Sequence, residues 1–204
     1  MKRFSAIIAA LLVFVFTAFG CATISSDSGW VTLIDNGKGI ENFNAIGDAN
    51  WRVQDGALVA DKGKGGHLVT KNSYQNFQIR AEFWAETGTN SGIFIRASNP
   101  SKIGADSAYE VNIYDLRPGQ EYATGGIVNF GRIPVPNNYQ AGGKWNTFLI
   151  TAKDTNLIVE LNGVQTVNIY DSKFASGPFS LQFGNHGKVP GGAIKWRKVQ
   201  VKPL

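Results

Sequence analysis

Phe77-Gln78-Ile79-Arg80-Ala81-Glu82-Phe83-Trp84 alternates apolar and polar side chains without a break up to Phe83. In an extended chain successive side chains point to opposite faces, so Phe77, Ile79, Ala81 and Phe83 share one side of a strand and Gln78, Arg80 and Glu82 the other. A helix would scatter the same apolar residues around its axis and leave no stripe to bury. The stretch is therefore expected to be a strand with one covered and one wetted face.

The same period recurs outward from it. Tyr109, Val111 and Ile113 alternate with Glu110, Asn112 and Tyr114, and Phe179, Leu181 and Phe183 alternate with Ser180 and Gln182. Leu157, Val159 and Leu161 run into Asn162-Gly163 and then the stretch 164–169, a hairpin signal because a tight turn requires positive φ at both central residues. Ile194 and Trp196 keep one phase, Val199 and Val201 the other, which predicts a bulge at Arg197-Lys198. No window after the N-terminal segment carries a sustained 3.6-residue apolar period, and 24 glycines oppose long helices. The expected fold is all-β, two packed antiparallel sheets forming one domain over 29–204, with 62–66 and 116–126 as surface loops.

The first twenty residues differ in kind. Met1-Lys2-Arg3 precedes an apolar run broken only by Ser5 and Thr17, too short to span a bilayer, and Gly20-Cys21 follows. That order predicts a signal peptide over 1–20. Ala18-Phe19-Gly20-Cys21 resembles a lipobox, which implies lipidation at Cys21, a flexible tether over 21–28 and, with Ala22 next, an outer-membrane lipoprotein facing the periplasm or the exterior. Cys21 is the single cysteine, so the domain has no disulfide and depends on its core.

The formal charge is +5, of which Lys2 and Arg3 belong to the leader. The remaining excess is mild, the cations are scattered apart from Lys195, Arg197, Lys198 and Lys202, and no basic stripe interleaved with aromatics appears. Nucleic acid is not an expected partner.

Polar residues on the uncovered phases of neighbouring strands converge on one surface. Arg96 ends Ile93-Phe94-Ile95-Arg96, Glu110 and Asn112 share a phase, Gln182 lies on a late strand, and His186 follows in Gly184-Asn185-His186-Gly187. His67 has no histidine or carboxylate at ligand spacing and reads as a loop or strand-edge histidine outside the site. Gly63-Lys64-Gly65-Gly66 lacks the lysine followed by Ser or Thr and the helix of a phosphate loop, and reads as a turn. Trp84, Tyr109, Tyr114 and Trp145 offer flat faces for sugar rings, with Tyr109 and Trp145 expected in the core.

Several stretches together resemble the 3-keto-disaccharide hydrolase domain family: Trp51-Arg-Val-Gln-Asp-Gly-Ala-Leu-Val59, Phe77–Phe83, Asn90-Ser-Gly-Ile-Phe-Ile-Arg96, Tyr109-Glu-Val-Asn-Ile113, Thr124-Gly125-Gly126, Lys144-Trp-Asn-Thr147, Leu161-Asn-Gly-Val164, Gly177-Pro178 and the final Val199–Leu204. The resemblance implies a jelly-roll sandwich of the concanavalin A-like lectin and glucanase type. It also implies cleavage of 3-keto-glycosides, in which the C3 ketone acidifies the C2 proton so that a base forms an enolate that expels the aglycone, and hydration follows. Glu110 or His186 would be the base. Arg96, or a divalent metal held partly by Glu110 and His186, would stabilise the enolate oxygen, with Gln182, Asn112, Asn90, Trp84 and Tyr114 binding the sugar. The alternatives are a non-catalytic lectin-like module, which the same fold supports, and a conventional glucanase. The latter requires Glu-x-Asp-x-x-Glu, whereas positions 110 to 115 read Glu-Val-Asn-Ile-Tyr-Asp.

Overall fold

The computed structural model describes residues 28–184 and 192–204. They form two antiparallel sheets, as the period-two pattern requires. The larger contains β1 (Val31–Asp35), β3 (Arg52–Gln54), β4 (Ala57–Ala60), β6 (Phe77–Ala85), β9 (Trp145–Lys153), β10 (Asn156–Leu161), β11 (Val164–Tyr170) and β13 (Ile194–Pro203). The smaller contains β2 (Phe43–Gly47), β5 (Gly66–Thr70), β7 (Ser91–Ile95), β8 (Tyr109–Ile113) and β12 (Ser180–Phe183).

The larger sheet runs β11-β10-β9-β6-β13-β4-β3, and β1 joins β13 beside β4. β4 pairs with Ile194, Lys195 and Trp196 of β13, and β1 with the stretch 198–201. The register of β13 against β6 shifts between Trp196 and Lys198, the bulge that the phase change predicts. It lets Ile194, Trp196, Val199 and Val201 all face inward although their spacing breaks the alternation. The β10–β11 hairpin turns through Asn162 and Gly163 at φ 52° and 80°, as a two-residue turn demands.

Leu68, Ile93, Tyr109, Val111, Leu181 and Phe183 from the smaller sheet meet Ile79, Phe83, Phe148, Val159 and Trp196 from the larger in one continuous apolar core. Each such side chain contributes about 1.5–3 kcal/mol through burial, so the core can hold the domain without a covalent brace. All of it lies within the described residues.

Three expectations change. All five residues of β8 are buried, so its second face is not wetted. The reason is the segment after it. Asn112 N–H donates to Gly126 O at 2.9 Å and Val128 N–H to Glu110 O at 3.0 Å, so 126–128 closes the edge of β8. The stretch 116–126, expected on the surface, thus turns inward at its end, where Ala123 and Thr124 are buried. Gly66, expected in a loop, is instead the first residue of β5.

Candidate active site

The five-stranded sheet runs β2-β5-β12-β7-β8. Its register sets two rows that mix polar and apolar residues on the face turned away from the core. His67 pairs with Gln182, and Gly92 on β7 pairs with Asn112. In the next row Val69 pairs with Ser180, Ser180 with Phe94, and Phe94 with Glu110. Gly92 keeps the middle of this face low. A Cβ there would stand 2.9 Å from Val111 O, 3.5 Å from Glu110 Cγ and 3.6 Å from Phe94 Cε2.

Glu110 has 8% exposure, and burial lifts its carboxyl from an ordinary 4.5 to about 7, with the charge of Arg117 opposing the rise. A carboxyl titrating there is half ionised near neutrality, the condition under which a carboxylate works as a general base. Arg117 sits in the segment that follows β8, and its Nε is buried without a hydrogen-bond partner in the described structure. Asn112 is fully buried and donates from Nδ2 to Tyr122 O at 2.6 Å, so it fixes the segment that follows β8.

At the other end of the face, His67 Nδ1 lies 3.1 Å from Ser180 Oγ, and its ring meets Phe94 edge to face at 5.0 Å between centroids. Burial lowers its pKa from 6.5 to about 4, which keeps the imidazole neutral at physiological pH. His67, Gln182, Asn90, Gly184, Lys64 and Lys102 help to line a pocket of about 610 Å³. Such a volume suits a small glycoside. Gln182 carries a buried side-chain oxygen with no partner among the described residues, an acceptor for a sugar hydroxyl once the side chain turns. Strands lie about 4.8 Å apart, so three steps separate His67 from Glu110 by about 14 Å of backbone, roughly the reach of a disaccharide.

Of the residues expected in the site, Glu110, Gln182 and Asn90 stand on or beside this face. Arg96 does not serve it. Its positive φ of 54° turns the side chain away, and it donates to Gln75 O, Asp154 O, Phe174 O and Asn76 Oδ1. Those bonds use all five N–H groups of a guanidinium, leaving none for an enolate. Trp84 is on the opposite side of the molecule, on the outer face of β6, under Lys195 Nζ at 4.5 Å. Asn112 has no surface to offer a ligand. Tyr114 lies past the end of β8, its backbone N–H donating to Thr124 Oγ1 at 2.9 Å, outside the pocket lining. Trp145, expected in the core, is 38% exposed, whereas Tyr109 is buried as expected. His186 and Cys21 lie outside the described residues.

His67, Gly92 and Arg117 were missed by sequence reasoning. Spacing along the chain does not reveal the surroundings of His67, because its partners come from β12 and β7. Among the described residues no three histidine, cysteine or acidic side chains gather as a metal set. Glu110 and His67 are too far apart to chelate one ion, and His186, the other ligand expected for a metal, lies outside the described residues. Asp115 is committed elsewhere: its carboxylate accepts from Thr124 Oγ1, from Ala141 N at 3.0 Å and from Gly142 N at 2.8 Å. It is therefore unavailable as the second carboxylate of a glucanase.

The 3-keto-alpha-glucoside-1,2-lyase-like domain family matches residues 29–202. A 3-keto-disaccharide hydrolase of Bacteroides thetaiotaomicron is 27% identical over 58% of this chain and 50% of its own length. The chain thus spans about half the length of that curated relative. A candidate glycosyl hydrolase of Parabacteroides distasonis superposes with a TM-score of 0.67 at 23% identity, covering 86% of this chain and 99% of that one. The carbohydrate-binding module CBM66 of Bacillus subtilis gives 0.57 at 12% identity, covering 85% and 95%. Lectin I-B4 of Griffonia simplicifolia gives 0.61 at 14%, covering 85% and 98%. These structural matches establish the lectin-like jelly-roll fold.

Proposed function

The chain belongs to the 3-keto-alpha-glucoside-1,2-lyase-like family, and from that premise we propose that it cleaves 3-keto-glycosides with Glu110 as the base. The observation that carries the reading is the Glu110 carboxyl, held at about 7 by burial on the pocket-bearing face of the sheet. In the ionised form it takes the C2 proton, and the C–H electron pair forms the C2=C3 enolate. Collapse restores the C3 ketone, makes C1=C2 and breaks the bond from C1 to the aglycone oxygen, which takes up a proton. Water then adds across C1=C2. His67 is the weaker base, because an imidazole titrating near 4 has little drive to accept a proton. Its neutral ring and Gln182 instead hold sugar hydroxyls, and Arg117 supplies positive charge toward the enolate oxygen in place of Arg96.

A sugar-binding module without catalysis would present exposed aromatics along its groove. The lining of this pocket contains Phe183, which is fully buried, and no tryptophan or tyrosine. A further part of the reading is that Cys21 is lipidated and the domain hangs from the outer membrane. Radiolabelled palmitate should enter the protein and be lost from Cys21→Ser.

The test is release of a chromogenic aglycone from a 3-keto-glucoside beside the unoxidised glucoside. Release from the keto compound alone, with solvent deuterium appearing at C2 and both signals lost in Glu110→Gln, is the expected result. Full activity in Glu110→Gln would remove Glu110 from the mechanism, and equal release from the unoxidised glucoside would remove the elimination.

A further inference from the structure

The outer face of the larger sheet, on the side opposite the pocket, collects cations and tryptophans from strands distant in sequence. Arg52, Val59, Lys195, Trp84 and Trp145 form one cross-strand row through successive pairings of β3, β4, β13, β6 and β9. Lys198 pairs with Glu82, Gln200 with Arg80, and Lys202 with Gln78 in the rows beyond. The cations lie over the rings: Lys195 Nζ is 4.5 Å from the Trp84 ring, Arg197 Cζ is 4.4 Å from Trp145, and Arg80 Cζ is 4.5 Å from Trp30. Arg197 is also paired with Glu82 at 2.7 Å, and Arg52 with Asp61 at 2.6 Å. No ion pair among the described residues engages Lys195, Lys198 or Lys202. Glu82 and Asp35 flank Lys198 in register, and the cations still outnumber them, so the face combines an excess of positive charge with amphipathic rings, the pairing found where proteins meet a lipid–water boundary.

The chain itself indicates which surface meets it. The described N-terminus enters this same sheet: β1 lies against β13, Gly29 is beside the Lys202 side chain, and Trp30 is under Arg80. The segment that carries Cys21 therefore joins the domain next to the cationic face. We propose that this face docks on the anionic headgroups of the membrane that holds the N-terminus, which turns the pocket on the opposite sheet away from the bilayer. A basic face beside a lipid anchor adds electrostatic attraction to anionic headgroups and fixes which side of the domain lies against them. Each cation near an anionic surface strengthens partition by roughly fivefold.

The proposal rests in part on lipidation of Cys21, and its test leaves lipidation out so that the two fail separately. The chain from Ala22 onward contains the whole core and is used without a lipid. Co-sedimentation should bring it down with vesicles containing phosphatidylglycerol, not with phosphatidylcholine alone, and added salt should release it. Lys195→Glu/Lys198→Glu/Lys202→Glu should lower partition at least about a hundredfold by the same arithmetic, while Lys64→Glu/Lys102→Glu at the pocket leaves it unchanged. Brominated phosphatidylglycerol should quench the fluorescence of the unaltered protein and not that of a Trp30→Phe/Trp84→Phe/Trp145→Phe variant. Far-ultraviolet circular dichroism and thermal melts establish that each variant is folded. Equal loss in the two charge-reversed proteins, absence of binding to anionic vesicles, or binding to a soluble acidic polysaccharide with none to vesicles would overturn it.

Discussion

At the scale of the residue, Glu110 links the proposed chemistry to stability. Its carboxyl titrates at about 7 in the fold and near 4.5 when the chain is open. The folded state thus holds the proton more tightly, and stability falls as pH rises from about 4.5 through 7. Glu110→Gln should remove that penalty, making the protein more stable by up to about 3 kcal/mol at pH 8 in denaturant titrations. The same substitution should lower turnover at least about a hundredfold, and wild-type turnover should rise with pH through about 7. His67 has the opposite sign. Its folded pKa of about 4 is below the ordinary 6.5, so its contribution is present above 6.5 and lost as pH falls toward 4. His67→Gln should flatten the acid limb of a melting-temperature profile in that window. Arg96→Lys offers three donors to a cluster arranged for five and should cost about 2–4 kcal/mol in unfolding free energy. The folded fraction of Arg96→Lys should keep its turnover number, because the side chain does not face the substrate.

Within elements, the sequence and the structure agree wherever one residue sees one neighbour across a strand. Gly163 is at φ +80° with open space around it, so Gly163→Ala should cost about 1 kcal/mol from backbone conformation alone. Gly92 differs because its surroundings are full. Gly92→Ala brings a Cβ to 2.9 Å from Val111 O and toward Glu110, and should lower stability by about 1–3 kcal/mol together with activity. The segment after β8 shows where local reading ends. Asp115 ties Thr124, Ala141 and Gly142 together, and that tie steadies the segment that pairs along the edge of β8. Asp115→Ala should loosen that segment, rehydrate the neighbouring Glu110 carboxyl and move the midpoint of the pH–rate profile from about 7 toward 4.5.

Across the whole molecule, the two sheets give the protein two outer surfaces with different chemistry. The pocket and the buried carboxyl occupy one, the cationic tryptophan face the other, and β1, the first described strand, belongs to the sheet of the second. Substitutions that abolish membrane partition through Lys195, Lys198 and Lys202 should therefore leave kcat/KM for a soluble 3-keto-glycoside within about twofold, since sites that share no partners act independently. With Cys21 as the only cysteine, reductant should leave the melting temperature of the domain unchanged.

The sequence by itself determined the all-β class, the inward phase of most strands, the hairpin at Asn162-Gly163 and the bulge near Arg197, because strand alternation and turn conformation are properties of neighbouring residues. It also brought Glu110 and Gln182 to the sheet face that carries the pocket. Only the tertiary structure decided that Arg96 spends its donors on three backbone carbonyls and an asparagine, that Asn112 is buried, and that Trp84 and Trp145 face away from the pocket. It likewise decided that His67 joins Ser180 and Phe94, and that Glu110 is desolvated. Burial and hydrogen-bond partnership depend on which segments cover a strand, and the covering segments here come from residues far along the chain.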